Sequence, residues 1–235
     1  MMPGGQNLSV TMIRHVAEHL GDLLEQVVFL GGAVTGLLLT DPAAPEARFT
    51  KDVDVVVSAG SYPEYARLEQ ALHDLGFTNV SDVICRWNIA GVIVDFMPTN
   101  EAILGFSNRW YHRASETATR YEIEKGLSIR LITAPYFVAT KLQAFLDPER
   151  EGSGDYLFSR DISDIITLID GRQEIISEIL ISDLYLRGFI SQTFKAMLLD
   201  TNFRETLSGH FLPDDASQKR LPLIVQRLEK IAEPT

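Results

Sequence analysis

The chain has 235 residues, of which 46% are hydrophobic and 23% are charged, and its formal net charge is −11. Length and composition are those of a globular protein with one large domain or two small ones. The acidic balance argues against non-specific nucleic-acid binding as the main activity. The single cysteine, Cys85, excludes an intramolecular disulfide and a cysteine-rich zinc site. The N-terminus has no signal-peptide pattern and no apolar run is long enough to cross a bilayer, so we expect a cytoplasmic protein without membrane contact.

The N-terminal half mixes helical and strand patterns. Residues 11–26 have helical periodicity, "VVFL" predicts a short strand, and the following Gly-Gly predicts a turn into a helix. The proline-bearing residues 41–50 predict a loop, "VDVVV" a buried strand and residues 61–77 an amphipathic helix. Two hairpins follow, with turns at Ala90-Gly91 and at Gly126. We therefore expect a mixed sheet of about five strands flanked by helices.

From Thr133 onward the pattern is helical only. Thr133 and Pro135 predict the start of one helix, Gly171 predicts the end of another, and helical spacing continues to Ile231. The sequence thus predicts an α+β fold with an α/β domain at residues 1–132 and an all-helical domain at residues 133–235.

Acidic residues interrupt two of the predicted strands. Asp52 and Asp54 in "FTKDVDVVV" point to the same face, because side chains alternate along a strand. Asp95 in "VIVDFMP" has an apolar residue on each side. Buried carboxylates need a compensating charge, and hard oxygen ligands suit Mg²⁺ or Mn²⁺. We expect the three aspartates to converge at one edge of the sheet as a metal site.

The turn at Gly31-Gly32 predicts an anion site. It follows a strand and opens a helix, so its backbone N–H groups are available to a ligand, and glycine permits a close approach. A phosphate cradle next to metal-binding carboxylates indicates phosphoryl or nucleotidyl transfer, with a nucleoside triphosphate (NTP) as substrate. The alternative is a tight strand–helix turn without a ligand.

The order of "FLGG", "KDVDV" and "VIVDF" resembles the polymerase β-type nucleotidyltransferases. In these enzymes a strand, a glycine turn, a helix, an Asp-x-Asp strand and a third aspartate follow one another. The downstream "APYFVATKLQAF" and "SRDISDIITLIDG" are similar to the AbiEii-type group, which includes toxins of abortive-infection and type IV toxin–antitoxin systems. The resemblance covers roughly residues 27–170. Nineteen residues separate Gly32 from Asp52, more than the family usually has, and the excess falls in the loop 41–50.

The resemblance implies the reaction and further site residues. Asp52 and Asp54 would bind the metal, and Asp95 would complete the site and take the proton from the acceptor hydroxyl. A lysine on a helix and an aspartate in a following acidic helix complete the family's site, which here correspond to Lys141 and Asp161, with Asp164 beside it. The alternatives are a surface lysine for Lys141 and a helix N-cap for Asp161.

The resemblance also bears on the acceptor and on protein partners. The toxin-like group implies an RNA or tRNA acceptor and an antitoxin protein, and Arg109, Arg113, Arg120 and Arg130 are candidates for a basic RNA path. The acidic total keeps a small molecule or a protein side chain as the alternative acceptor, and a non-catalytic toxin–antitoxin partner as the alternative to an enzyme.

Two tryptophans have arginines beside them. Trp87 follows Arg86, and Trp110 lies between Arg109 and Arg113. Such neighbours can stack on a base or hold phosphates, with core packing as the alternative for the rings.

Overall fold

The computed structural model of the chain describes residues 4–80, 83–105, 107–150 and 152–233. The chain divides into two compact units. The first unit contains Met1–Leu37 and Arg48–Thr133, and the second contains Leu38–Ala47 and Ala134–Thr235. Within the described ranges, no helix is both long enough and apolar enough to span a bilayer.

The first unit contains a mixed β-sheet. In the part of the chain that the structure describes, its seven strands are β1 (Val27–Leu30), β2 (Asp52–Val57), β3 (Thr78–Asn79), β4 (Arg86–Ile89), β5 (Val92–Pro98), β6 (Thr119–Glu124) and β7 (Leu127–Leu131). Their spatial order is β3-β4-β5-β2-β1-β7-β6. The β2–β5 and β1–β7 pairs are parallel and the other pairs are antiparallel. This confirms the α+β class and the mixed sheet, and it corrects the expected number of strands upward.

Both predicted hairpins are present, because each has the turn that its geometry requires. Ala90 and Gly91 have φ values of 47° and 89° in the two-residue turn between β4 and β5. Left-handed values at both central residues match the twist of the flanking strands. In the turn between β6 and β7, Gly126 is the left-handed residue, with φ 87°.

Helices complete the first unit. They are α1 (Gly4–Leu20), α2 (Tyr62–Asp74), α3 (Glu101–Leu104) and α4 (Tyr111–Thr117), with 3-10 helices at Gly21–Gln26 and Gly32–Leu38. One face of the central strands is fully buried, since Val53, Val55, Val94 and Phe96 are each 0% exposed. The residues that alternate with them on β2 and β5 include all three aspartates.

The second unit is built from helices. They are α5 (Ala134–Phe145), α6 (Arg160–Gly171), α7 (Ile175–Ile181), α8 (Leu184–Leu199), α9 (Thr201–Thr206), α10 (Asp215–Gln218) and α11 (Leu221–Ala232), with a 3-10 helix at Leu207–His210. Ser159 caps α6 by accepting a hydrogen bond from the Ile162 N–H, and Asp183 caps α8 in the same way.

Residues 38–47 are part of the second unit, although the sequence assigned them to the N-terminal domain. The N–H groups of Thr40 and Asp41 donate to the Gly171 carbonyl, at 2.8 and 2.9 Å, and so satisfy the end of α6. Arg220, the residue just before α11, binds Asp41 at 3.0 Å. Much of the connection that holds the excess residues between Gly32 and Asp52 is therefore hydrogen-bonded into the second unit.

Candidate active site

One row of paired residues crosses the sheet and carries the candidate site. Arg86 on β4 pairs with Asp95 on β5, Asp95 pairs with Asp54 on β2, and Asp54 pairs with Leu30 on β1. Directly paired residues project from the same face of a sheet. Asp52, two residues before Asp54, shares that face. The strands therefore bring the three predicted aspartates together, but on the interior strands β2 and β5 rather than at an edge of the sheet.

Arg86 is the charge that compensates these carboxylates. Its Nε donates to Asp95 Oδ1 at 2.8 Å and its Nη2 to Asp95 Oδ2 at 2.7 Å. The same Nη2 lies 3.9 Å from Asp52 Oδ2. Two-point contacts of this kind are the strongest protein ion pairs, and these hydrogen bonds raise the pKa of the Arg86 guanidinium. Asp95 is only 8% exposed, so it depends on this partner.

The sequence interpretation missed this role of Arg86. It grouped Arg86 with Trp87 as a base-stacking or phosphate-binding pair, but Trp87 is 0% exposed and packs in the core. A usable signal was present in the sequence. A two-residue turn at Ala90-Gly91 makes positions 89 and 92 partners, and counting back along both strands places Arg86 opposite Asp95.

Gly31 is required by the approach of Asp54. Its φ is 74°, and a Cβ built on it would lie 2.8 Å from the Asp54 Cβ and overlap the Asp54 carboxylate. Only glycine fits both the backbone conformation and this space. Gly31 thus allows β1 to end against an acidic side chain on β2. Its proposed contact with phosphate stays a prediction.

The helix after Gly31 differs from the expected one. Gly32–Leu38 is a 3-10 helix of seven residues rather than an α-helix. Such a short, tightly wound element aligns few peptide dipoles, so it attracts anions less than a long α-helix does. The predicted phosphate cradle at Gly31 and Gly32 therefore depends mainly on individual N–H groups.

The donor chemistry of the site fits a hard divalent cation. Asp52, Asp54 and Asp95 supply only oxygen atoms, and after compensation by Arg86 two formal negative charges are left. Among the described residues, however, no group of three or more acidic, histidine or cysteine side chains is arranged to hold a metal ion. In this structure Asp95 binds the guanidinium instead.

The second unit brings the other three predicted residues together. Lys141 Nζ on α5 lies 2.9 Å from Asp161 Oδ1 and 2.8 Å from Asp164 Oδ2 on α6. Burial alone would lower the pKa of Lys141, but Asp164 and Asp161 more than offset that effect, so its pKa is raised. Asp161 is not the N-cap of α6, since Ser159 has that position. Lys141 is 8% exposed and not a surface lysine.

The arginines of the expected RNA path have partners within the first unit. Arg113 pairs with Glu116 at 3.0 Å, and Arg120 pairs with Glu25 at 2.6 Å. Arg130 donates to the Ser115 carbonyl at 2.6 Å. The fourth arginine, Arg109, lies over the ring of Trp110 and lines a cavity of about 410 Å³. Trp110 itself is 2% exposed. Tryptophan packing in the core is thus observed for both rings.

The chain matches no protein-family model and no curated protein sequence.

Proposed function

We propose that the protein is a metal-dependent nucleotidyltransferase that moves a nucleoside monophosphate from an NTP to an acceptor hydroxyl. The observation that carries the proposal is the register of β2 and β5, which pairs Asp54 with Asp95 and places Asp52 on the same face. Acidic side chains on adjacent interior strands are costly to bury unless cations compensate them, and a divalent cation would add to the compensation that Arg86 gives. The predicted resemblance to polymerase β-type transferases assigns the same three positions to the metal site.

Each residue of the first unit has a proposed role. Asp52 and Asp54 would hold Mg²⁺ or Mn²⁺, and Asp95 would complete the site and accept the proton of the acceptor hydroxyl. When bound, the metal supplies charge stabilisation for the phosphate that is transferred. Gly31 and Gly32 would donate backbone N–H groups to phosphate oxygens.

Lys141, Asp161 and Asp164 carry a separate part of the proposal. The resemblance implies that Lys141 and Asp161 complete the site, with Asp164 beside Asp161, and in the proposal Lys141 binds the NTP phosphates. The two carboxylates that hold Lys141 support a positioned and charged amine, because they raise its pKa. Replacing Lys141 should weaken NTP binding by about 1.5–3 kcal/mol, the value of one charge-assisted hydrogen bond. Wild-type NTP affinity in that variant would remove Lys141 from the proposal.

The acceptor in the proposal is a hydroxyl group of RNA, with tRNA as the toxin-like case and an antitoxin as the protein partner. This assignment comes from the resemblance. The paired arginines described above do not add a basic surface to it. A small molecule or a protein side chain is the other acceptor class to be tested.

The direct test uses α-labelled NTPs. The protein is incubated with Mg²⁺, each NTP and total RNA, and labelled products are separated by size. We expect label in RNA from the parent and none from Asp54→Asn or Asp95→Asn, whereas Asp74→Asn, an exposed charge change on α2, should retain activity. Label in protein or in a small product would change the acceptor class. No labelled product with any NTP, together with no thermal shift on adding Mg²⁺ and NTP, would contradict the transferase proposal.

A further inference from the structure

Arg86 occupies the position at which the proposed metal site needs charge. The guanidinium spans Asp95 and Asp52 with Nη2, at 2.7 and 3.9 Å. It also holds both oxygens of Asp95 through its two-point contact. A carboxylate whose oxygens both accept from one guanidinium has few lone pairs left for a second cation.

The exposures of these side chains differ in an informative way. The Asp95 side chain is 11% exposed, whereas those of Arg86 and Asp52 are 34% and 38% exposed. The Asp95 carboxylate is largely removed from water, so leaving it without a nearby cation would be costly. Arg86 is open enough to leave and return, because a third of its side chain is in contact with solvent.

We propose that Arg86 is an internal counter-ion that competes with a divalent cation for Asp95 and Asp52. The inference rests on the proposed function, because it assumes that these carboxylates form the metal site. Arg86 holds Asp95 in place in the ligand-free protein through its two-point contact, and it must release Asp95 before the carboxylate can bind a metal. Arg86 thus positions the acidic cluster and lowers its metal affinity.

This arrangement differs from an ordinary surface ion pair. Arg120 and Glu25 form such a pair at 2.6 Å, with side chains 66% and 57% exposed. That pair lies in the same unit and involves a guanidinium and one carboxylate. It therefore provides a matched control, because Arg120→Gln changes the net charge of the protein by the same amount as Arg86→Gln.

The test is a titration of the protein with Mn²⁺ alone. Free Mn²⁺ is measured by its electron paramagnetic resonance signal. Arg86→Gln should bind Mn²⁺ about tenfold more tightly than the parent, which corresponds to about 1.4 kcal/mol. Arg120→Gln should bind it as the parent does. Equal or weaker Mn²⁺ binding by Arg86→Gln would overturn the proposal, because the guanidinium would then support the metal site rather than compete for it.

A second variant covers the case in which Arg86→Gln does not fold. Arg86→Lys keeps the positive charge but cannot form the two-point contact. It should bind Mn²⁺ about threefold more tightly than the parent. Its melting temperature should also rise more steeply with Mn²⁺ concentration than that of the parent. No gain in affinity in Arg86→Lys would overturn the proposal on its own.

The outcomes separate this inference from the proposed function. A parent protein that transfers nucleotide, with no gain in Mn²⁺ affinity in either Arg86 variant, contradicts the counter-ion role alone. A gain in affinity in the variants, with neither transfer nor a thermal shift on adding Mg²⁺ and NTP in the parent, supports the counter-ion role and contradicts the transferase. Absence of Mn²⁺ binding in the parent and in both variants overturns both.

Discussion

Replacing Lys141 with methionine removes the cation that α5 places against two carboxylates of α6. Methionine keeps the length of the side chain and most of its packing, so the change is mainly electrostatic. Asp161 and Asp164 would then stay buried without their shared partner, and Asp164 is only 1% exposed. We expect a marked loss of stability, because a buried charge that loses its partner keeps its full desolvation cost.

The magnitude follows from the geometry of the cluster. Lys141 makes two contacts, at 2.9 and 2.8 Å, in a site that is nearly closed to water. Breaking a buried ion pair costs about 3–5 kcal/mol. For a chain of this size, each kcal/mol lowers the melting temperature by about 2–4 °C, so we expect a decrease of about 6–20 °C. Arg150, 3.7 Å from Asp161 and 54% exposed, retains part of the compensation.

The assay is urea unfolding followed by circular dichroism at pH 7, where the loss of the buried ion pair should appear as a lower free energy of unfolding. In the parent, the raised pKa of Lys141 contributes stability below about pH 10.4, and that contribution is lost as the pH rises through the folded-state value.

Two further variants control this experiment. Arg150→Met removes a cation from the same cluster, but from an exposed position, and should cost less than about 1 kcal/mol. Adding Asp164→Asn to Lys141→Met should restore part of the stability, because it neutralises the most buried carboxylate. A Lys141→Met protein that loses less than about 1 kcal/mol at pH 7 would refute the reasoning.

Three other predictions concern the first unit. Gly126→Ala should lower the free energy of unfolding by about 1–2 kcal/mol through backbone strain alone, because nothing lies within 4 Å of the new methyl group. Gly31→Ala should lower it further, because its methyl group would also overlap Asp54. Equal losses of stability in urea unfolding would contradict this. Burial raises the pKa of the Cys85 thiol to about 11, so iodoacetamide should label the native protein slowly at pH 8 and the urea-unfolded protein quickly. The stability that Cys85 contributes is complete below its unfolded pKa of about 8.5 and is lost as the pH rises to about 11. Asp52→Asn should change the stability of the ligand-free protein by no more than about 0.5 kcal/mol, because the side chain is half-buried and only loosely paired. The same variant should lose most of the thermal shift that Mg²⁺ and NTP cause. A destabilised variant with an unchanged ligand response would favour a structural role for Asp52.

Local signals account for the elements that the sequence predicted correctly. The two hairpins depend on turns whose residues are adjacent in the chain, and β5 is a continuous apolar run around one aspartate. The two-residue strand β3 could not be predicted, because Thr78–Asn79 is too short to show a period of two. The 3-10 form of Gly32–Leu38 also left no local signal, since 3-10 and α-helices share the same apolar spacing over so few residues.

The candidate site shows the same division between local and long-range information. Alternation along β2 predicted the common face of Asp52 and Asp54, and the resemblance grouped Lys141 with Asp161 and Asp164. The pairing of Arg86 with Asp95 depends on the register between β4 and β5, which can be obtained only by counting back from the hairpin turn. The close approach of Asp54 to Gly31 depends on how β1 and β2 pair, and no spacing in the sequence encodes that distance.

The attachment of residues 38–47 means that the chain passes between the two units three times. Neither unit is a continuous stretch of sequence, and a single cut after Thr133 would not yield a complete second unit. Such a fragment would lack the N–H groups that bind the Gly171 carbonyl, and Arg220 would lose Asp41, one of its two carboxylate partners. Gly171 is itself fitted to this segment, since a Cβ there would lie 2.8 Å from Leu39 and 2.9 Å from Ala44. The length of the connection between β1 and β2 is therefore constrained by helices that come more than a hundred residues later in the chain.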